Sequence, residues 1–469
     1  MLTLALLLCY LLGLSVLLLI SRKYSLAELI SFSFLIGMGL ETVFLFLLDV
    51  VGIKYSQGVL LGLNVVAIAA ICGANYKNLL ALKDEFKMPS LQLKDINLVA
   101  LAVFAYAAYL FYAITVKNLF WPPTDHDAIG SFDKLGKIMA LEGQLKISLF
   151  QYNLEGAGGV YPPLFHGSYA YVYIFGALMP KIVTTLFFLS LLTGFYALVK
   201  NYVGSTASAI FTFLLMITPE LFSHAALSLG NLPTTAYVGP AAIATLTWVD
   251  KRDTKYFWIG AILMAFVIWV RSDTIVFTAA ALLVMTIDLI RNRNFKQYVT
   301  YAAMVVAPFV IWTLYLKLKI HAAQGARFDL GMGYNAERMK LMTGYVDAFL
   351  LGGQQGRIDG GQLYGISFVL FFIMFFVNLF FMGTNWHSIK AFLQKNLAVW
   401  AFIFGSFFLY FAVFYLINEK AQNAPLYSLM ESSFKRGLFC FVPLALFFAA
   451  TCRPSELAFA WLEKFRTGK

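Results

Sequence analysis

Residues 2–20 read LTLALLLCYLLGLSVLLLI, a run of nineteen residues without a single charge. A helix rises about 1.5 Å per residue, so a run of this length is long enough to cross the roughly 30 Å hydrocarbon core of a bilayer. The first basic residues, Arg22 and Lys23, follow the run instead of preceding it. The order of charge and apolar run therefore predicts a retained first transmembrane helix and not a cleaved signal peptide.

Similar runs recur along the whole chain of 469 residues, which is 61% hydrophobic and only 13% charged. This composition excludes a soluble enzyme and is typical of polytopic membrane proteins. No long polar block remains to form a soluble domain, so we expect one all-α integral membrane domain over residues 1–469, with about 13 transmembrane helices. The predicted spans are 2–20, 27–50, 58–75, 97–117, 182–199, 205–218, 235–249, 257–270, 274–290, 298–316, 363–382, 397–417 and 437–452.

Basic residues are concentrated in short loops between these spans, which is the distribution that the positive-inside rule produces. We therefore assign the basic loops and the tail, 453–469, to the cytoplasm, and the segments 118–181 and 319–362 to two large external loops. The formal net charge of +11 needs only membrane lipids as partners, and no nucleic acid is expected. The run 164–179 would break the alternation of sides if it crossed, so we expect a partly inserted helix there.

The four cysteines, Cys9, Cys72, Cys440 and Cys452, lie in or beside apolar runs without metal-binding spacing. We read them as small apolar residues of a helix bundle and infer no disulfide or zinc site.

Charged and conformationally special residues gather in one stretch, from Trp121 to His166. It contains Asp125-His126-Asp127, placed just after Trp121-Pro122-Pro123 and the end of a predicted span. A carboxylate held at the membrane interface is less well solvated than in water, which suits it to act as a general base on a hydroxyl group. The same residues are also explained by capping of a helix that begins near Ala128, or by simple solvation.

A family resemblance favours the functional reading. Asp127-Ala128, Phe132 and Lys134-Leu135-Gly136-Lys137 resemble the acidic and lysine-containing stretch in the first outer loop of the bacterial C-type (GT-C) membrane glycosyltransferases. This superfamily includes protein O-mannosyltransferases, aminoarabinose transferases and oligosaccharyltransferases. Tyr161-Pro162-Pro163-Leu164 resembles a motif that follows in the same superfamily. Arg436-Gly437-Leu438 resembles the start of a late span, although Gly437 stands where the family has a tyrosine.

The resemblance implies a GT-C-like core over residues 97–452, preceded by extra N-terminal helices, 1–96. It also implies an inverting transfer of a sugar from a polyprenyl-phosphate donor to an acceptor hydroxyl of a glycan, glycolipid or protein, outside the cytoplasmic membrane. Asp127 would be the base, with Asp125 as its competitor or as a metal ligand. Arg436, Lys435 and Arg271 would face the donor phosphate, because guanidinium groups bind phosphate oxygens with paired hydrogen bonds.

These residues also have explanations that require no role in catalysis or binding. Lys435 and Arg436 are also explained by interfacial snorkelling, and Arg271 by a local ion pair with Asp273. The superfamily leaves a divalent cation, Mg²⁺ or Mn²⁺, open as a cofactor, because some members need one and others do not. We assign acceptor or substrate binding to further residues of the outer loops, namely His126, Tyr161, His166, Glu220, His224, Arg327 and Arg338.

Two other classes of protein compete with this hypothesis. A surface-polysaccharide polymerase or ligase would share lipid-linked substrates but would rely on arginine and histidine without an early acidic motif. A transporter or flippase would be expected to carry ionisable residues near the middle of its spans, whereas here the charges gather at the span ends.

Overall fold

A computed structural model describes residues 1–76, 98–125, 127–147, 161–321 and 328–467, and the fold over these ranges is almost entirely helical. The helices are α1 Leu2–Ile20, α2 Leu26–Val51, α3 Gln57–Ala74, α4 Leu98–Phe120, α5 Asp133–Glu142, α6 Leu164–Ile174, α7 Ile182–Lys200, α8 Ser205–Met216, α9 Pro219–His224, α10 Asn231–Lys251, α11 Thr254–Val270, α12 Ile275–Asn292, α13 Phe295–Tyr315, α14 Ala336–Leu351, α15 Gly360–Tyr364, α16 Ser367–Leu379, α17 Trp386–Tyr415, α18 Glu419–Gln422, α19 Leu426–Leu429, α20 Lys435–Gly437, α21 Val442–Thr451 and α22 Arg453–Thr467. The strands β1 Gln354–Gln355 and β2 Ile358–Asp359 form a minimal antiparallel hairpin.

Nine helical segments in the described ranges are long and apolar enough to cross a membrane, and three shorter apolar helices accompany them. The chain is therefore a multi-pass membrane protein of the all-α class, as its composition predicts. Each predicted span coincides with a helix or helical segment, but α8, α11 and α16 are shorter than the run that a straight crossing needs. The count of 13 spans stays a prediction.

One end of the bundle, which we call the site face, is defined by contacts between distant helix ends. The Tyr315 hydroxyl at the end of α13 donates to Asp49 in the last turn of α2, at 2.6 Å. Thr218, after α8, and Ser367, at the start of α16, share a hydrogen bond of 2.9 Å. Six further helix ends lie at this same end, in the order that alternating crossings require. They are the C-terminal ends of α4, α11 and α17 and the N-terminal ends of α7, α10 and α21.

The opposite end, which we call the basic face, collects the loops with excess lysine and arginine. Lys255, at the start of α11, lies 3.1 Å from Glu28, which caps the start of α2. Arg252, just after α10, forms a two-pronged ion pair with Asp288 near the end of α12. The two faces thus have the division of loops that the positive-inside pattern predicts, while the assignment of the basic face to the cytoplasm stays a prediction.

Helix α6 does not run from one face to the other. Its eleven residues rise about 16 Å, which is about half the thickness of the hydrocarbon core. Tyr161, just before it, lies under the Arg271 guanidinium at the site face. At its other end the Ile174 carbonyl accepts a hydrogen bond of 2.8 Å from Gln57, at the start of α3 on the same face. This geometry supports the partly inserted helix expected for 164–179.

The short helix α5 packs closely along α6, and a glycine makes that approach possible. A Cβ atom at Gly136 would lie 2.6 Å from the Cβ atom of Tyr169 and 2.9 Å from the His166 carbonyl oxygen. Gly136 itself is fully covered. Any side chain here would push α5 away from α6, so the glycine fixes the position of the chain that leads from Asp127 into α5.

The segment 319–362, which the sequence predicts to be the second external loop, is more regular than its glycine-rich sequence suggests. Beyond residues 322–327, which the structure does not describe, it contains α14, the β1–β2 hairpin and the beginning of α15. Tyr345 and Phe349 of α14 are buried against the rest of the protein. The described part of this segment is therefore a packed helical cover and not an irregular loop.

Candidate active site

Asp127 occupies the residue before a π-helical turn, Ala128–Phe132, that leads into α5. Its side chain makes no capping hydrogen bond to that turn, so helix capping does not account for it. The carboxylate instead binds the guanidinium group of Arg436. The two partners are 309 positions apart in sequence and each is about one-third exposed.

Arg436 follows a second π-helical turn, Met430–Phe434, and lies in the one-turn helix α20 at the start of the last span. A π turn inserts an extra residue into a helix and re-aims the side chains beyond it, and such turns occur frequently at functional sites. Here each partner of the ion pair lies next to its own π turn: Asp127 precedes the first and Arg436 follows the second. The local irregularity of the two segments therefore coincides with the point where they meet.

Arg271, in the turn between α11 and α12, lies beside this pair. Its guanidinium group donates two hydrogen bonds to Asp273, at 3.0 and 2.6 Å, and one to the side-chain oxygen of Asn231, at 3.1 Å. The guanidinium also lies over the Tyr161 ring, 5.4 Å from its centroid. The expected local ion pair exists, and it occupies the same cluster as Arg436.

Arg271 and Arg436 line a common cleft together with residues from α10, α12 and α17. The cleft lining is Asn231, Thr234, Arg271, Asp273, Thr274, Phe277, Tyr410, Arg436, Gly437 and Cys440. Its free volume is about 20 Å³, which is room for about one water molecule. A phosphate group needs more space, so the two arginines must exchange internal partners before they can hold one.

Lys435 points to a different acid. Its ammonium group lies 3.0 Å from Glu220 of α9, and the His224 imidazole lies 3.9 Å from the same carboxylate. Burial, together with the neighbouring Arg436 and Lys435, lowers the pKa of His224 to about 3. His224 is therefore neutral at physiological pH, while Phe439 covers its ring at 4.6 Å.

Each of the three cations, Arg271, Lys435 and Arg436, is thus paired with one carboxylate, from Asp273, Glu220 and Asp127 respectively. We call these six residues the cation cluster. Its formal charges cancel. Because the carboxylates come from three different segments of the site face, an anionic ligand can compete with each of them separately.

The two motifs of the segment 118–181, the predicted first external loop, meet in an aromatic contact. Phe132, at the end of the first π turn, lies 6.1 Å from Tyr161 and 5.0 Å from Phe165, measured between ring centroids. This contact ties the acidic stretch to the Tyr161-Pro162-Pro163-Leu164 segment. Tyr161 then bridges the aromatic group and Arg271, which places both motifs beside the cation cluster.

Asp125 faces another part of the molecule. Its carboxylate raises the proton affinity of Lys181, but burial and the neighbouring Lys117 prevail and lower the pKa of Lys181. Lys181 is buried, with its ammonium group 3.5 Å from the Ala226 carbonyl oxygen. Within the described ranges, no three His, Cys, Asp or Glu side chains are grouped as ligands for a metal ion. Within these ranges, Asp125 and Asp127 therefore do not form a binding site for Mg²⁺ or Mn²⁺, and the divalent cation stays a prediction.

Two other assigned residues, His166 and Arg338, do not belong to the cation cluster. His166 is buried in α6, and one of its imidazole nitrogens has no hydrogen-bond partner within the described ranges. The Arg338 guanidinium donates to the carbonyl oxygens of Phe414, Tyr415 and Ile417 and lies 2.5 Å from Glu419. These donors satisfy the carbonyl end of α17, and the acceptor-binding assignment of Arg338 stays a prediction. His126 and Arg327 lie outside the described residues.

Sequence reasoning missed Asn231 and Tyr410, both of which line the cleft. Asn231 is a polar residue at the first position of α10, where an asparagine has many ordinary roles. Tyr410 is one of 25 tyrosines, and nothing in its local sequence distinguishes it. Comparison of the chain with protein-family models, with curated proteins and with solved structures finds no match.

Proposed function

We propose that this protein is an inverting glycosyltransferase that uses a polyprenyl-phosphate sugar donor at the external face of the bacterial cytoplasmic membrane. The observation that carries the proposal is the contact between Asp127 and Arg436. An acid and a cation that are 309 positions apart in the sequence lie together at one end of the bundle. The product would be a glycan, glycolipid or glycosylated protein of the cell envelope.

The chemistry needs one cation at the leaving phosphate and one base at the acceptor. Arg436 would bind the phosphate oxygens, which gain negative charge as the bond from the sugar anomeric carbon to the phosphate oxygen breaks. The acceptor oxygen forms the new bond to that carbon from the opposite face, and its proton passes to Asp127. The phosphate leaves with the electron pair of the broken bond.

The ion pair couples these two roles. Without donor, Asp127 and Arg436 neutralise each other, so neither is available. A phosphate that binds Arg436 competes with the carboxylate, and the released Asp127 can then accept a proton from the acceptor. The buried amide of Asn231 and the guanidinium of Arg271 supply a second set of donors on the far side of the cleft.

The test is a transfer assay with the purified protein in lipid nanodiscs and a panel of synthetic polyprenyl-phosphate sugars. Asp127→Asn should lower the turnover at least about 100-fold, the lower range for loss of a general base, and should still bind the donor. Asp125→Asn, which faces Lys181, is the matched control and should keep most of the activity. Retained transfer in Asp127→Asn, or its loss only in Asp125→Asn, would move the base to Asp125.

The same assay separates the competing classes. A transporter would translocate the donor without releasing sugar from its phosphate. A polymerase would release sugar but form a repeating product of increasing length.

A further inference from the structure

A second cavity lies on the site face, apart from the cation cluster. Its volume is about 310 Å³, the size at which small-molecule pockets begin. Three segments line it: the loop between α2 and α3, one side of α5, and the end of α6. The loop between α2 and α3 belongs to the N-terminal helices. The proposed transfer reaction uses no residue of these helices.

Hydrogen bonds between the segments fix the walls of this cavity. The Gln57 side-chain amide donates to the Ile174 carbonyl at 2.8 Å, and the Tyr55 backbone N–H donates to the Gly143 carbonyl at 2.8 Å. Asp49 of α2 accepts hydrogen bonds from the backbone N–H groups of Leu145 and Lys146. The N-terminal helices are thus tied to the C-terminal ends of both α5 and α6, and the cavity is formed before any ligand arrives.

The lining has two kinds of surface. Tyr55, Tyr173 and Leu141 provide ring and aliphatic surface. The polar groups stand around it: the exposed ammonium of Lys137, the side-chain oxygen of Gln57 and the Tyr173 hydroxyl, which donates to Asp133 at 2.7 Å. Apolar walls with a few placed polar groups fit a pyranose ring, which has apolar faces and a hydroxyl rim. Lys137, the one cation among the described residues that line the cavity, favours a ring that bears a negative group.

Lys137 and Asp127 belong to one continuous helical segment, the π turn followed by α5. Ten residues of helix place them about 15 Å apart along its axis. One sugar cannot contact both residues. A chain of sugars lying along α5 reaches from the base at one end to the cavity at the other.

We infer that the cavity between α3, α5 and α6 is a distal acceptor subsite that binds an acidic sugar unit of an extended glycan acceptor. The inference rests on the proposed function for the reaction, but the binding of glycan does not depend on transfer. It assigns a role to the N-terminal helices, which close one side of the subsite through Tyr55 and Gln57. The acceptor class is then an oligosaccharide carrying carboxylate or phosphate groups.

The experiment measures binding of the full-length protein in nanodiscs to an array of acidic and neutral oligosaccharides. Acidic glycans should bind the wild-type protein, and Lys137→Ala should weaken that binding about tenfold or more. Leu141→Trp, which fills the cavity with an indole ring, should abolish it. Lys134→Ala is the matched control, because Lys134 lies exposed on α5 but does not line the cavity.

The outcomes separate the subsite from the transfer reaction. In the transfer assay, Lys137→Ala should raise KM for the acceptor with kcat unchanged, whereas failure of the proposed function abolishes turnover in the wild-type protein. Equal binding of all glycans by wild-type protein, Lys137→Ala and Leu141→Trp would overturn the subsite, and so would the absence of any glycan binding. Loss of co-purified phosphatidylglycerol in Lys137→Ala, without any effect on glycans, would make the cavity a lipid-headgroup site and overturn it too.

Discussion

Gly437, which follows Arg436 of the cation cluster and lines the cleft, is tightly packed. A Cβ atom at this position would lie 1.8 Å from the Tyr410 hydroxyl oxygen and 2.2 Å from the ring carbon that carries it. Tyr410 is held there by hydrogen bonds to the carbonyl oxygens of Ser433 and Phe434. The tyrosine that the family resemblance leads one to expect at 437 is therefore excluded, because a tyrosine from α17 already fills the adjacent space.

Gly437→Ala should destabilise the protein by about 1–3 kcal/mol, the usual cost of overpacking a filled site. In a Tyr410→Ala background the added methyl group meets no ring, so the same change should cost nothing further. Thermal unfolding of the four proteins of this double-mutant cycle measures the coupling. Gly62→Ala, which has open space around it, is the control. Additive effects of the two changes would contradict the packing explanation.

His224 gives the cation cluster a dependence on pH. Its pKa of about 3 lies below the value near 6.5 expected in the unfolded chain, so the unfolded state binds the proton more readily. The stability that the neutral imidazole supports is present above pH 6.5 and is lost as the pH falls towards 3. Through this imidazole, the free energy of unfolding of the wild-type protein should fall by about 2 kcal/mol between pH 7 and pH 5. The His224→Gln variant should lack this part of the decrease.

The measurement is thermal unfolding in nanodiscs at both pH values, with the exposed His387 changed to glutamine as the control. An equal loss of stability in wild-type protein and His224→Gln would show that other groups carry the pH dependence.

At the level of single residues, the sequence indicated which charged side chains lie at the ends of the spans. It did not indicate which side chains they contact. Asp127 and Arg436 were selected because each follows or opens a span with a distinctive motif. That Lys435 binds Glu220 and does not line the cleft depends on tertiary contacts, which local sequence does not reveal. Tyr410 was missed for the same reason, since its role arises only from its contact with Gly437.

Among the structural elements, the α5–α6 pair positions Asp127, the proposed base. The π turn after Asp127 continues into α5, and α5 is held against α6 at Gly136. The alternation of basic loops indicated that the apolar run 164–179 does not cross the membrane. The structure gives the reason, because α6 is short and both of its ends lie at the site face. The sequence did not predict the π turns, because an inserted residue leaves no pattern in composition or periodicity.

Gly136→Ala should separate α5 from α6 and destabilise the protein by about 1–3 kcal/mol. The transfer rate should fall as well, because α5 carries Asp127 away from Arg436 when it moves. Gly130→Ala, in the π turn itself with open space around the glycine, is the matched control for stability. An unchanged unfolding temperature in Gly136→Ala would show that the two helices are not in tight contact.

For the whole molecule, the prediction concerns the membrane sides. If α6 does not cross, Trp121 and Leu178, which are 63% and 91% exposed, must lie on the same side, with Lys395 on the other. Single cysteines at these three positions, in a protein whose four native cysteines are replaced by alanine, should show this with a membrane-impermeant maleimide. Positions 121 and 178 should react together in intact cells, and position 395 only after permeabilisation. Labelling of 121 and 178 from opposite sides would make α6 a full crossing.

The arrangement of the whole chain was more predictable than its site. Long apolar runs are forced into helices by the bilayer, and basic loops separate from the other loops, so hydropathy and charge predict both class and order. The start of α10 was placed late, at 235, because Asn231, Pro233 and Thr234 lower the local hydropathy, although the helix begins at Asn231. Burial among neighbouring helices compensates for those polar groups, and a single sequence does not show it.

The cancelled charges of the cation cluster affect how a ligand arrives. Oppositely charged partners a few ångströms apart produce little field beyond the Debye length, roughly 8–10 Å in physiological salt, so the cluster does not draw soluble anions from a distance. The cluster itself therefore contributes little long-range electrostatic steering, which speeds the association of many charged ligands and makes it sensitive to ionic strength. It should add little salt dependence to the association rate, and a phosphate carried in the plane of the membrane has the advantage over one dissolved in water.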